Sequence, residues 1–120
     1  MAKILIIDDQ EAIRGLLRTY LEGVGHEVCE ATNGRDGLAL YRQRQADLVI
    51  TDIAMPEMSG LDLILELTRC FLNVKVIAIS GEEGGGDNLQ VAKLLGARQT
   101  LQKPFTMEQL LRTVQYELRH

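Results

Sequence analysis

At 120 residues the chain is near the commonest size for one domain and too short for two, and 46% apolar residues can supply one real core. Seventeen acidic residues against thirteen basic ones leave a net charge of −4 with the positive charge scattered, which argues against a dedicated nucleic-acid surface. No apolar stretch approaches the ~20 residues that span a bilayer. Asp8 and Asp9 also interrupt the first apolar run after four residues, so no signal peptide is read and a soluble, cytoplasmic protein is expected.

In chain order, Ile4-Leu5-Ile6-Ile7 is a run of aliphatics rich in β-branched residues, the pattern of a strand buried on both faces. Ile13, Leu16, Leu17, Tyr20 and Leu21 then share one helical face, with Gly23 and Gly25 following as a helix C-terminus prefers. Val28-Cys29, between two glutamates, reads as a shorter strand nearer a sheet edge. Asn33 is a candidate N-cap for a helix over 35–44 carrying Leu38 and Tyr41. Leu48-Val49-Ile50 is the third strand. Ser59 caps the next helix, whose apolar stripe reads Leu61, Ile64, Leu65, Thr68 and Leu72. Val76-Ile77-Ala78-Ile79 is the fourth strand. Gly84-Gly85-Gly86 reads as a mobile loop ahead of a helical segment over 88–95, which Gly96 follows. Leu101, between Thr100 and Gln102, marks a last short strand, and Met107, Leu110, Leu111, Val114 and Leu118 form the final stripe.

Strand and helix thus alternate five times. That order predicts an α/β fold, a doubly wound five-stranded parallel sheet with helices on both faces and right-handed crossovers. A β/α barrel needs eight units and about 250 residues, which excludes it. Strand order 2-1-3-4-5 places the most apolar runs inside. Cys29 and Cys70 sit in separate segments without CxxC spacing and are expected to be buried and reduced. His26 and His120 read as solvated, which argues against a His/Cys zinc site.

The informative polar residues follow the buried runs. Asp8 and Asp9 follow the first, Asp52 the third, Ser80 the fourth, and Lys103 the fifth. In a parallel sheet these positions share one rim, and ligands bind there at the switch in strand order, between the first and third strands. Taken singly, each has a plain explanation as a turn residue, a cap or a surface charge. Taken together they put three carboxylates, a hydroxyl and an ammonium in one place. Two like charges ~4 Å apart cost roughly 4 kcal/mol at an effective dielectric of ~20. Lys103 offsets part of this, and a bound cation would offset more. The donors are all oxygens, which selects a hard ion, Mg²⁺ or alternatively Mn²⁺. A cation, a lysine and a hydroxyl around one carboxylate are the parts of phosphoryl transfer, and an aspartate can serve as its nucleophile. Asp52 is the best candidate, being single, on the central strand and followed by the short loop from Ile53 to Pro56.

These residues resemble the receiver domain of two-component response regulators. The motifs are Asp8-Asp9, Asp52-Ile53-Ala54-Met55-Pro56 with Gly60, Ser80-Gly81, Leu95-Gly96-Ala97 and Lys103-Pro104-Phe105, and the likeness covers the whole chain as one domain, 1–120. The resemblance implies a CheY-like, flavodoxin-like fold with Asp52 as the phosphorylation site. Asp9 and Asp52 would ligate Mg²⁺ directly, Asp8 directly or through water, and the backbone carbonyl of Ala54 would complete the protein ligands. Ser80 would contact the phosphoryl group, Lys103 would pair with it, and the Lys103–Pro104 bond would be cis. The donor would be a phosphohistidine of a sensor histidine kinase or phosphotransfer protein. The chain would promote only its own phosphorylation and dephosphorylation, with no nucleic acid or membrane as direct partner. Two departures stand out. Thr100 occupies the place of an aromatic switch residue, and Arg98-Gln99 that of an acidic pair in many DNA-binding members. Ala54 and Glu82 occupy positions that tune loss of phosphate, Glu82 either orienting water or simply solvated.

Two other functions fit the fold class. A flavin or nucleotide site would need a Gly/Ser/Thr loop with free N–H groups after the first strand. The chain has Asp8-Asp9-Gln10-Glu11 there, and only five aromatic residues. An aspartyl phosphatase would resemble a DxD pattern with a cap domain, whereas Ala54 stands where the second Asp would be.

Overall fold

The computed structural model describes residues 1–81 and 85–120. Among them the chain alternates β1 (Lys3–Ile7), α1 (Glu11–Gly23), β2 (Glu27–Ala31), α2 (Gly34–Gln43), β3 (Leu48–Asp52), α3 (Gly60–Cys70), β4 (Val76–Ser80), α4 (Gly85–Leu95), β5 (Gln99–Gln102) and α5 (Met107–Arg119). All strand pairs are parallel, in the order β2-β1-β3-β4-β5, as expected from the alternation of runs.

Alternation along the interior strands divides the core in two. Leu5, Ile7, Val49, Val76 and Ala78 pack with Leu38, Leu63, Ile64, Leu67 and Ala92 of α2, α3 and α4. Ile4, Ile6, Leu48, Ile50, Ile77 and Ile79 pack with Leu17, Leu21, Leu110 and Val114 of α1 and α5. A strand covered on both faces must be apolar at every position, which is why these runs are continuous rather than alternating. The expected caps form. Asn33 accepts from the Asp36 N–H and Ser59 from the Asp62 N–H. Thr106 and Gln109 form a reciprocal capping box at the start of α5. Gly25 and Gly96 follow α1 and α4 with φ of +97° and +119°.

Several expectations are corrected. Cys29 and Cys70 are free but exposed. Cys29 alternates with the buried Val28 on the edge strand β2, and Cys70 ends α3 beyond its packed face. His26 is half-buried, and its Nδ1 accepts from the Ala2 N–H at 3.2 Å. Burial, then the nearby N-terminal amine, holds its pKa below the usual value. Leu16 and Tyr20 of α1 are exposed, leaving Leu17 and Leu21 as its buried residues. The buried face of α3 is Leu63, Ile64 and Leu67, while Leu65 is exposed and Leu72, past the helix end, is 98% exposed. Helix α4 starts at Gly85, so Gly85 and Gly86 belong to it, and Gly84 lies outside the described residues with Glu82.

Candidate functional site

Four strand ends and their exits build the site. β1 pairs β2 up to Ile7 and Ala31, and the Asp8 N–H continues the ladder by donating to the Ala31 carbonyl at 3.1 Å. Asp8 is therefore held in the sheet, only 2% exposed, and its Oδ1 accepts from the Gln10 N–H at 2.9 Å. Gln10 is the N-cap residue of α1, so Asp9 caps nothing, and it is exposed. Asp52 is the last residue of β3, 7% exposed, and its Oδ1 accepts from the Ile53 N–H at 3.0 Å. Its backbone carbonyl accepts from the buried Thr51 hydroxyl at 2.9 Å.

The loop after Asp52 is folded tightly back. The Gly60 N–H donates to the Ile53 carbonyl at 2.8 Å. A Cβ at Gly60 would lie 2.2 Å from the Asp52 carbonyl oxygen and 2.6 Å from Ile53 Cα. Only glycine lets α3 begin this close to β3. Within the loop Glu57 has a φ of +67°, a conformation unfavourable for a residue with a Cβ. Ala54 lies exposed two residues after Asp52.

Ser80 ends β4, buried, and among the described residues its Oγ makes only a long contact of 3.4 Å to the Gly81 carbonyl. The Lys103 N–H donates to the Ser80 carbonyl at 2.8 Å, which fixes the fifth strand's exit beside the fourth. The Lys103–Pro104 bond is cis, as the resemblance implies. Among the described residues Lys103 forms no ion pair, so its ammonium acts on the aspartates only from a distance.

Asp8, Asp9 and Asp52 converge. Each offers a carboxylate oxygen, and these oxygens lie within 4.8 Å of one another. Burial first, and then the Asp8 charge, push the Asp52 pKa up to about 6, against the pull of Lys103 and the Ile53 N–H. Burial also raises the Asp8 pKa, against the Gln10 N–H and Lys103. The protein therefore leaves this cluster short of positive charge. A divalent cation on an all-oxygen donor set is the group that fits such a deficit.

Two contributions were not read from the sequence. Gly60 was noted as part of a motif, not as the contact that seats Asp52. Arg14, whose Nη1 donates to the Asp8 carbonyl at 2.7 Å, was not singled out. The signal for Gly60 was its place one residue after an N-cap serine. Arg14 carried none without the sheet register.

A doubly wound parallel sheet with an acidic cluster at its switch point defines a class of metal- and phosphate-handling α/β domains. The family model for the response regulator receiver domain matches residues 4–115. The chain is 39% identical to the protein PilH of Pseudomonas aeruginosa over 116 residues, 95% of each chain. It is 36% identical to the chemotaxis protein CheY of Thermotoga maritima over 104 residues, 86% of each. The crystal structure of a response regulator receiver domain protein from Clostridium thermocellum superposes with a TM-score of 0.93 at 33% identity, covering 99% of this chain and 95% of that one. The chain belongs to the receiver domain family of two-component response regulators. Phosphorylation on an aspartate is the general function of that family. Its members generally bind Mg²⁺ at an acidic pocket and interact with sensor kinases and effector domains.

Proposed function

We propose that the whole chain, 1–120, works as one receiver domain in which Asp52 is the phosphoacceptor. The observation that carries this is the convergence of Asp52 with Asp8 and Asp9 at the switch point, within 4.8 Å. Asp52 Oδ1 is engaged by the Ile53 N–H, whereas Oδ2 takes no hydrogen bond among the described residues and reaches solvent. That second oxygen attacks the phosphorus of a phosphohistidine. The P–O bond forms as the P–N bond breaks, and the imidazole leaves with the electron pair. Asp9, Asp52 and the Ala54 carbonyl, with Asp8 directly or through water, would hold Mg²⁺ (or Mn²⁺), which would supply charge neutralisation. Lys103 pairs with the transferred group, and the Ser80 hydroxyl, held by one long contact, turns to donate to it.

The chain turns over no separate substrate and promotes only its own phosphorylation and dephosphorylation. Its partners are proteins, a sensor histidine kinase or phosphotransfer protein upstream and an effector downstream. No nucleic acid or membrane takes part directly, and the protein works in the cytoplasm. Among the described residues no helix is long and apolar enough to cross a membrane. Titration with beryllofluoride and Mg²⁺ tests the reading. Binding is expected in the wild type and absent in Asp52→Ala, and binding that survives the substitution overturns it.

A further inference from the structure

Asp9 is the exposed member of the acidic set, and among the described residues its carboxylate takes no hydrogen bond. The backbone leading into it therefore sets its direction. Among the described residues two side-chain contacts hold the backbone around Asp9: Asp8 Oδ1 accepts from the Gln10 N–H at 2.9 Å on its far side, and Arg14 grips its near side. The Asp8 carbonyl, part of the peptide that joins Asp8 to Asp9, accepts from Arg14 Nη1 at 2.7 Å. Arg14 Nε donates to Glu30 Oε1 at 2.9 Å, so the guanidinium is gripped from two sides. Glu30 stands on β2 in register with Ile6, two residues before Asp8. The same carboxylate takes Arg18 Nη1, and Arg18 Nη2 donates to the Val28 carbonyl at 3.0 Å. The Arg14 side chain is only 12% exposed. A charged group so covered and bonded on two sides has little freedom to reorient.

We propose that Arg14, aimed by Glu30, is a positioning residue for the acidic pair. It fixes the Asp8–Asp9 peptide, and so the direction in which Asp9 meets the divalent cation. The inference rests on the reading of Asp8, Asp9 and Asp52 as an Mg²⁺ site.

Charge and geometry make opposite demands at this residue. A guanidinium beside the Asp8 carbonyl repels a cation bound to the same loop. Electrostatics alone would have its removal tighten Mg²⁺ binding. Positioning has its removal weaken binding, because Asp9 then samples directions in which it is no ligand. Lysine separates the two effects. It keeps the charge, but a point-like ammonium does not reproduce the planar fork that reaches Glu30 and the carbonyl together. If Arg14 merely staples α1 to β2, its loss lowers stability and leaves metal affinity unchanged.

Amide NMR titration of the full chain with MgCl₂ decides among these, with thermal unfolding in a chelator reporting the fold of each variant. Arg14→Lys and Arg14→Gln are both expected to weaken Mg²⁺ binding about 10-fold. Glu30→Gln is expected to weaken it less, in the same direction. Unchanged affinity in the folded Arg14 variants, or tighter binding in Arg14→Gln, overturns the proposal. Should Arg14→Gln fail to fold, Arg14→Lys and Glu30→Gln decide it by the same criteria. A wild-type chain that takes up no Mg²⁺ overturns the metal reading itself, and the positioning role with it.

Discussion

The two rims of the sheet differ in how they treat charge. At the amino-end rim polar groups are partnered. The Lys3 N–H donates to Asp47 Oδ2 at 2.8 Å, and Lys75 Nζ donates to the Glu117 carbonyl at 2.6 Å. Gln99 Nε2 donates to Glu117 Oε2 at 2.8 Å, and Arg98 stands 4.0 Å from its other oxygen. Here also lies a cavity of about 1030 Å³, lined by His26, Asp47, Phe71, Lys75 and Val114 among others. At the carboxyl-end rim the charges are not paired, with three carboxylates within 4.8 Å of one another and no ion pair to any of them among the described residues. This cavity therefore lies away from the chemistry, and uncompensated charge points to it. A rim whose charges are satisfied holds helices in place, and a rim left in deficit awaits ligands.

Asp52→Asn should draw the sharpest line between the rims. Phosphorylation by a small-molecule phosphodonor, read by intact-protein mass spectrometry, is expected to vanish, and a variant that still gains a phosphoryl group breaks the assignment. Gly60→Ala should come next. Its Cβ would meet the Asp52 carbonyl oxygen at 2.2 Å, a backbone atom that cannot swing aside. Destabilisation of about 3 kcal/mol by denaturant unfolding is expected, together with impaired phosphorylation.

Acidity offers a third comparison. Asp52 is raised from 3.8 to about 6 in the folded chain, so between these values the folded state holds the extra proton. Asp52 then makes the metal-free protein lose stability as pH rises through this window, about 1 kcal/mol between pH 5 and 7, while His26, with its lowered pKa, contributes with the opposite sign. Asp52→Asn should flatten that slope, and saturating Mg²⁺ should reverse it, because protons then compete with the metal. A metal-free pH slope in the wild type no different from that of Asp52→Asn would contradict the deficit at the rim. The smallest effect belongs to the other rim. Glu117 is 3% exposed but already partnered, so Glu117→Gln should cost about 1 kcal/mol or less and leave Mg²⁺ affinity unchanged in the same titration.

Much of this was legible in the chain itself. Strand order, two of the three side-chain N-caps, Asn33 and Ser59, and the placing of Asp8, Asp9, Asp52, Ser80 and Lys103 at one end of the sheet were legible there. The failures are physical. From Leu61 to Leu67 five of seven residues are aliphatic, so the helical period has more than one solution there, and packing against β3 and β4 chose the one through Leu63 and Leu67. Edge position decided Cys29, which a central strand would have buried. Arg98 and Gln99, noted only for what they replace, both turn to Glu117 and fasten β5 to α5. Thr100 is half-buried, in register with Ala78, two residues before the pairing of Ser80 with Gln102.

The strand ends that carry these side chains belong to different βα units, joined through a sheet whose pairs are all non-local. No fragment of the chain holds the set. During synthesis the acidic pair emerges with the first strand, but Lys103 joins it only when nearly all of the domain has been made. With the proposed site, a half-built or misfolded copy would present no complete acceptor and would not compete for a donor's phosphoryl group. Placing one site across the whole topology makes competence to carry a signal equivalent to having finished folding, with slow, non-local assembly as the cost.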